Sequence, residues 1–158
     1  MAQITTADIR TRIKDILKNN ADVSANVPYI FDVAPMALQR GNVPAIVIIE
    51  GNGTYQTGNL GERFVNPTLS ITIALYMQEW TANSTVNINA NGVDAVTTAI
   101  EDTFQLQNLL HYNDNGLKGI RSAKLTSVTG VAPRPYPSGG MPFVHKQWTL
   151  QVTYSRKV

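Results

Sequence analysis

The feature that most constrains the fold of this chain is a regular alternation of apolar and polar residues in two segments. The alternation is clean over residues 68–77, with Ala74 and Tyr76 on the same side as Thr68, Ser70 and Thr72, and most of residues 144–154 follow the same pattern. The apolar sets are Leu69, Ile71, Ile73, Leu75 and Met77 in the first segment, and Val144, Trp148, Leu150, Val152 and Tyr154 in the second. Such alternation is typical of strands that bury one face. The chain must therefore build a sheet and supply an apolar cover for one side of it.

Two segments with helical periodicity can provide that cover. In the first, Thr5 or Thr6 can cap a helix, and Asp8 adds an acidic side chain to its first turn. The apolar residues of this helix, which fall on one face, are Ile9, Ile13, Ile16 and Leu17. A second helix is predicted from about Val93 to Asn108, with Val93, Val96, Ala99, Ile100, Thr103 and Phe104 on its apolar side.

Further strands are predicted over residues 29–33, 44–50 and 119–129, and the continuous apolar run in 44–50 indicates burial on both faces. Few strands are separated by helices of crossover length, which favours antiparallel pairing. We therefore predict an α+β fold: a mostly antiparallel β-sheet with two α-helices packed on one face, and long hairpin loops. A chain of 158 residues fits one such domain, spanning residues 1–158.

Two features point towards contacts with other proteins. The sheet face opposite the helices is rich in Thr, Ser and Gln with few charges, which suits contact with neighbouring subunits. The connections 51–63 and 131–142 are long for hairpins, and connections of about 12 residues or more are often functional. The second contains Pro133, Pro135 and Pro137, which disfavour a regular ladder.

The net charge of +2 is unevenly distributed. Residues 1–114 contain all 11 acidic residues and 6 of the 13 basic ones, whereas residues 115–158 contain 7 basic residues and no acid. This asymmetry indicates either a basic face for phosphate or an acidic partner, or oppositely charged faces that meet in an assembly. Basic residues scattered over several strands are the third interpretation. On the first helix, we interpret Arg10, Lys14 and Lys18 as a solvated flank.

The sequence contains no recognisable catalytic or cofactor motif. It has no cysteine, which excludes disulfides, iron–sulfur clusters and thiolate zinc sites. The spacing of Gly53 and Gly58 resembles a P-loop, but the required Lys and Ser or Thr are absent. His111 and His145 have no ligand partner nearby, and Glu101 and Asp102 are predicted to point apart into water. We expect a protein that is not an enzyme and has no cofactor or metal.

A helix needs about 20 apolar residues to span a bilayer, and no apolar run in the sequence approaches that length. The N terminus has no signal-peptide pattern. We therefore expect an untargeted, soluble protein with no membrane partner.

The order of elements resembles that of a known family. A short amphipathic helix is followed by an apolar strand after Val-Pro-Ala, a Gly-rich connection, the strand Leu-Ser-Ile-Thr-Ile-Ala-Leu-Tyr, a helix and two closing strands ending in Gln-Trp-Thr-Leu-Gln-Val-Thr-Tyr. This order, from about Ile4 to Tyr154, resembles the tail terminator proteins of long-tailed bacteriophages. The resemblance implies a virion protein, first present in the host cytoplasm. It would form a ring, typically sixfold, on the tail tube, stop tube polymerisation and dock the head-side connector around a genome channel.

The contact residues that we predict from position in the two connections are Tyr55, Glu62, Arg63, Arg134 and Tyr136. The expected partners are further copies of the chain, the tail tube protein and the connector, with transient contact to DNA in the channel. A head-closure or other neck component is the main alternative function. Two further alternatives are a basic nucleic-acid-binding module and a hydrolase that uses His145.

Overall fold

The computed structural model describes residues 4–35, 44–56, 64–77, 90–105, 119–136 and 140–157. The helices are α1 (Thr6–Asn19), α2 (Ala21–Asn26) and α3 (Ala90–Gln105). The strands are β1 (Tyr29–Phe31), β2 (Ala45–Gln56), β3 (Phe64–Met77), β4 (Ile120–Tyr136), β5 (Gly140–Tyr154) and β6 (Arg156–Lys157). The sheet runs in the order β1-β2-β3-β5-β4, and β6 pairs with the start of β3. Only the β1–β2 pair is parallel among these, which confirms the predicted mostly antiparallel α+β fold.

Helix α1 begins where the sequence predicts, because Thr5 and Asp8 cap its first turn through two reciprocal hydrogen bonds. The hydroxyl of Thr5 accepts a hydrogen bond from the Asp8 backbone N–H at 3.1 Å, and the Asp8 carboxylate accepts one from the Thr5 backbone N–H at 2.9 Å. This reciprocal capping box satisfies two backbone donors that a helix start otherwise leaves unpaired. The four predicted apolar side chains of α1 are all buried.

The structure contains a short helix, α2, that the periodicity did not predict. Asn20 ends α1 and at once caps α2, because its side-chain oxygen accepts hydrogen bonds from the N–H groups of Asp22 and Val23. Val23 is buried, and α2 packs against α3. Among the described residues, the cover of the sheet therefore contains three helices where two were predicted.

The main core lies between the helices and one face of the sheet. Trp148 is fully buried among alternate residues of β3 and β5, and Phe104 and Ile100 of α3 pack into the same cluster. The faces predicted for β3, β5 and α3 are confirmed at these positions. At about 1.5–3 kcal/mol for each large apolar side chain removed from water, this layer is the main source of stability.

The opposite face of the sheet is also buried at one end, which the alternation did not predict. Tyr76 and Ala74 of β3 form a second apolar cluster with Ala45 and Val47 of β2 and Val144 of β5. The expectation that β3 buries one face is therefore wrong over its last residues. The expectation that the strand at 44–50 is buried on both faces is confirmed for residues 45–48.

The two long connections are shorter than predicted, because strand pairing continues into them. Strand β2 extends to Gln56, which pairs with Asn66, across an irregularity between Glu50 and Gly53. A Cβ atom on Gly53 would lie 3.2 Å from the Thr68 carbonyl oxygen, so glycine permits this close approach of the two strands. Residues 57–63 lie outside the described part of the chain.

The proline-rich segment is likewise extended. Strand β4 reaches Tyr136, and its register shifts between Gly130 and Arg134. Pro133 and Pro135 fit there because β4 is the terminal strand of the sheet order, and an edge strand at a bulge tolerates a missing N–H donor. Residues 137–139 lie outside the described part of the chain.

The assignment of the two faces predicts unequal effects for neighbouring substitutions. We expect Ile73→Ala to lower the free energy of unfolding by about 2–5 kcal/mol, because Ile73 is fully buried beneath the helices. Thr72→Ala, on the open face, should lower it by less than about 1 kcal/mol. Urea denaturation followed by far-UV circular dichroism measures both, and equal losses would contradict the assignment.

Candidate interaction surfaces

The predicted contact residues are distributed over opposite ends of the sheet. Tyr55 pairs through its backbone with Pro67, near the start of β3, whereas Arg134 pairs with Val144 and Tyr136 with Gly140, near the other end. The ten-residue step along β3 from Pro67 to Met77 corresponds to about 30 Å. Glu62 and Arg63 lie outside the described residues. The structure therefore does not bring the candidates together into one site.

An open, nearly uncharged surface covers the other half of the sheet face opposite the helices. Strand register places its side chains in three rows: Thr54, Thr68, Thr153 and Ser122 across four strands; Ser70, Gln151 and Lys124 across three; and Thr72, Thr149 and Ser127 across three, with the apolar Ile49 of β2 beside Thr72. The hydroxyl oxygens of Thr68 and Thr153 lie 3.0 Å apart and form a cross-strand hydrogen bond. Lys124 is the one charged side chain in these rows. We call this surface the hydroxyl face.

The end of the sheet beside β6 is held by a chain of polar contacts. The Arg121 Nε–H donates to the Ser155 hydroxyl at 2.6 Å, and that hydroxyl donates to the Asn66 side-chain oxygen at 3.3 Å. The Ser155 backbone N–H donates to the Gly119 carbonyl at 2.8 Å. Gly119 has a φ of 102°, a backbone conformation that favours glycine. These contacts fix the position at which β5 passes into β6.

The basic residues of the C-terminal part do not form one face in the described structure. Lys124 lies on the hydroxyl face, whereas Lys146 lies on the helix side, opposite Leu75 in the sheet register. Arg121 is exposed near the start of β4, and β6 consists of Arg156 and Lys157. The distribution over several strands matches the interpretation of scattered bases, and it weakens the case for a single phosphate-binding surface.

Glu101 is attached to the sheet and does not point freely into water, contrary to the prediction. Its Oε1 atom accepts a hydrogen bond from the indole Nε1–H of Trp148 at 3.3 Å and lies 3.6 Å from Lys146 Nζ. The same ammonium lies 5.7 Å from the centre of the Trp148 ring, within cation–π range. The neighbouring Asp102 is exposed, as predicted. This cluster fastens α3 to β5.

One signal for this contact is present in the sequence. A buried indole needs an acceptor for its N–H group, and Trp148 lies on a strand face predicted to be buried. Which acceptor it finds depends on how α3 lies across the sheet, because Glu101 is 47 residues away in the chain.

The basic flank of α1 is likewise paired in part, which corrects its interpretation as a solvated edge. Arg10 Nε lies 3.3 Å from Glu50 Oε2, and Lys14 Nζ lies 3.8 Å from Asp32 Oδ1. Arg10 also donates a hydrogen bond to the Asp32 backbone carbonyl at 3.2 Å. These contacts join α1 to β2 and to the residue that follows β1. Lys18, one turn beyond Lys14, is exposed.

The described side chains do not assemble a recognisable reaction centre. Within the described ranges, no three His, Cys, Asp or Glu residues form a group that could hold a metal ion. His111 lies outside those ranges, and His145 is placed only by its backbone in β5. Among the described helices, none has the length and apolar character required to cross a bilayer.

No protein-family model matches the sequence, and no curated protein matches it.

The contrast between Glu101 and Asp102 can be tested directly. We expect Glu101→Ala to lower the free energy of unfolding by about 1–2 kcal/mol, because it leaves the buried indole N–H without its acceptor. Asp102→Ala removes an exposed carboxylate from the same helix turn and should change stability by less than about 0.5 kcal/mol. Chemical denaturation monitored by circular dichroism compares the pair, and equal effects would contradict the role of Glu101.

Proposed function

We propose that this protein is a virion structural component that forms a ring on the end of a bacteriophage tail tube, stops tube polymerisation and docks the head-side connector. The single observation that carries the proposal is the placement of the two candidate contact segments at opposite ends of one sheet, about 30 Å apart. Two different surfaces at opposite ends suit head-to-tail contact, which closes into a ring when the rotation between subunits allows it.

Charge supports a head-to-tail arrangement. The acidic side chains of Asp22, Asp94 and Asp102 line a groove between α2 and α3. Helix α2 leads into β1, which starts at the level of Ala45, so this groove lies towards the end of the sheet where β2 begins. The basic residues of β6 and Arg121 lie towards the other end. Lys146 and Arg134 also lie towards the end where β2 begins, so the proposed charge pairing is a local one, between the acidic groove of one copy and the bases near β6 of the next.

The hydroxyl face supports the same proposal. Its Thr, Ser and Gln side chains can exchange hydrogen bonds with water or with a neighbouring subunit at low desolvation cost, and a single lysine gives it little attraction for DNA phosphates. The element order that resembles the tail terminator proteins agrees with a noncovalent, assembly-based role.

The first experiment measures the solution mass of the purified protein by light scattering. Negative-stain imaging then shows the shape of the particles, and incubation with tail tube protein tests whether tube growth stops. A ring, or a monomer that forms a ring with tube protein, together with arrest of tube growth, is the expected result. A ring that leaves tube growth unchanged would favour the head-closure or neck function. A strict monomer that ignores tube protein and binds DNA with a steep salt dependence would favour a nucleic-acid-binding module.

A mixing experiment tests the head-to-tail contact. Two variants are compared, Arg134→Ala/Tyr136→Ala and Tyr55→Ala/Glu62→Ala/Arg63→Ala. We expect each variant to lose the ring, because each removes candidate contact residues at a different end of the subunit. An equimolar mixture should then give a heterodimer of twice the 17.3 kDa monomer mass and nothing larger, since one intact pair of ends remains.

Light scattering measures the mass of each variant and of the mixture, with Asp15→Ala, at an exposed position of α1, as a control that should still form the ring. If both multiple variants assemble like the unmodified protein, the chosen residues are not the contact residues.

A further inference from the structure

A groove runs beside β1, the terminal strand of the sheet order. Lys14 and Lys18 of α1 form one wall, and the connection residues Val27 and Pro28 and strand β1 form the other. The groove holds about 280 Å³, which is just below the range of about 300–1,000 Å³ typical of small-molecule sites. A shallow groove between a helix and a sheet edge suits a segment of chain more than a compact ligand.

The strand that borders the groove offers an edge for pairing. In the described part of the chain, β1 pairs with β2 alone, through Tyr29–Ala45, Ile30–Ile46 and Phe31–Val47. Alternate backbone N–H and C=O groups of a strand point to opposite edges, so some of those in β1 face away from β2. An extended peptide that lies between an edge strand and a helix can add to the sheet through such groups.

The charge of the groove selects the kind of peptide. Lys14 and Lys18 are one helical turn apart, so their ammonium groups lie on the same side of α1. The residues that line the groove include no acid. Lys14 shares Asp32 with the Thr11 hydroxyl, and Lys18 has no ion pair among the described residues. Lys18 therefore gives the groove a positive charge without a counter-ion among the described residues, whereas Asp32 balances the charge of Lys14.

Side chains at the start of β1 add an apolar contact. Tyr29 is 39% exposed although it is a large aromatic residue, and it follows Pro28 in the wall of the groove. A strand whose apolar and acidic side chains alternate would place one set against Tyr29 and Pro28 and the other towards the lysines.

We propose that the groove between α1 and β1 binds an extended acidic segment of a partner protein, which adds to the edge of β1 and places carboxylates beside Lys14 and Lys18. This binding does not require the ring, so the two proposals can fail separately. A short strand flanked by lysines can also serve only to protect a sheet edge from pairing, and the experiment distinguishes these roles.

The probe is a fluorescein-labelled peptide that alternates valine and glutamate, and the measurement is fluorescence anisotropy at low salt. We expect saturable binding to the unmodified protein and a loss of affinity of about tenfold or more for Lys18→Glu, because the substitution reverses a charge in the groove. Lys124→Glu makes the same charge reversal on the hydroxyl face and should change affinity by less than about twofold. Circular dichroism verifies that both variants fold.

Two N-methylated versions of the peptide test the backbone pairing. One carries N-methyl groups on the valines and the other on the glutamates, so each blocks the donors along one edge of the bound strand. We expect one version to lose binding and the other to keep it.

Three results would overturn the proposal. The first is no anisotropy change at millimolar peptide, which would leave the edge as a protected one. The second is binding that survives both methylation patterns, or that Lys124→Glu weakens as much as Lys18→Glu does. The third is self-association without peptide that Lys18→Glu abolishes, which would assign the groove to a second copy of the chain.

Discussion

Burial of the helix-facing side of β3 and β5 is the interaction on which the other features of the structure depend. Trp148 and its neighbours on these central strands require an apolar cover, and α1, α2 and α3 provide it from a single side. Because the helices occupy that side, the polar part of the opposite face is left for other contacts. The position of the hydroxyl face follows from this one-sided arrangement, whereas the edge groove and the two sheet ends follow from strand order and register.

Some of the charged residues attach the helices to the strands. Only 15% of the residues are charged, and several of these connect the helices to the strands: Arg10 with Glu50, Lys14 with Asp32, and Lys146 with Glu101. Partly exposed ion pairs contribute little stability individually, about 0–1 kcal/mol, but they orient the elements that they join. The charges left at the surface are then unevenly placed. Lys18 has no ion pair among the described residues, which supports the acidic partner proposed for the β1 groove.

The hydroxyl face and the apolar cluster beside it divide one sheet surface into two parts with different chemistry. Towards the end where β2 begins, Tyr76, Ala74 and Val144 are buried. Towards the other end, Thr68 and Thr153 form a cross-strand hydrogen bond, and their neighbours across the strands are also polar. The polar part therefore has little to gain from burial within its own subunit and remains compatible with contact to another.

The amino-acid sequence by itself determined the elements whose signals are local. The cap formed by Thr5 and Asp8, the apolar face of α1 and the alternation in β3 and β5 depend on residues within a few positions of one another, so periodicity and capping rules predict them. The α+β class followed from the same patterns. The short helix α2 was missed because six residues carry too little periodicity to distinguish a helix from a turn.

The tertiary structure alone decided the features that depend on strand order and register. Burial of Tyr76, the contact between Glu101 and Trp148, and the separation of Tyr55 from Arg134 each join or divide residues that are distant in the chain. Alternation specifies which residues share a face, but not which strand is the neighbour or where a helix crosses it. Those depend on the packing of the whole core, in which many weak contacts are satisfied together.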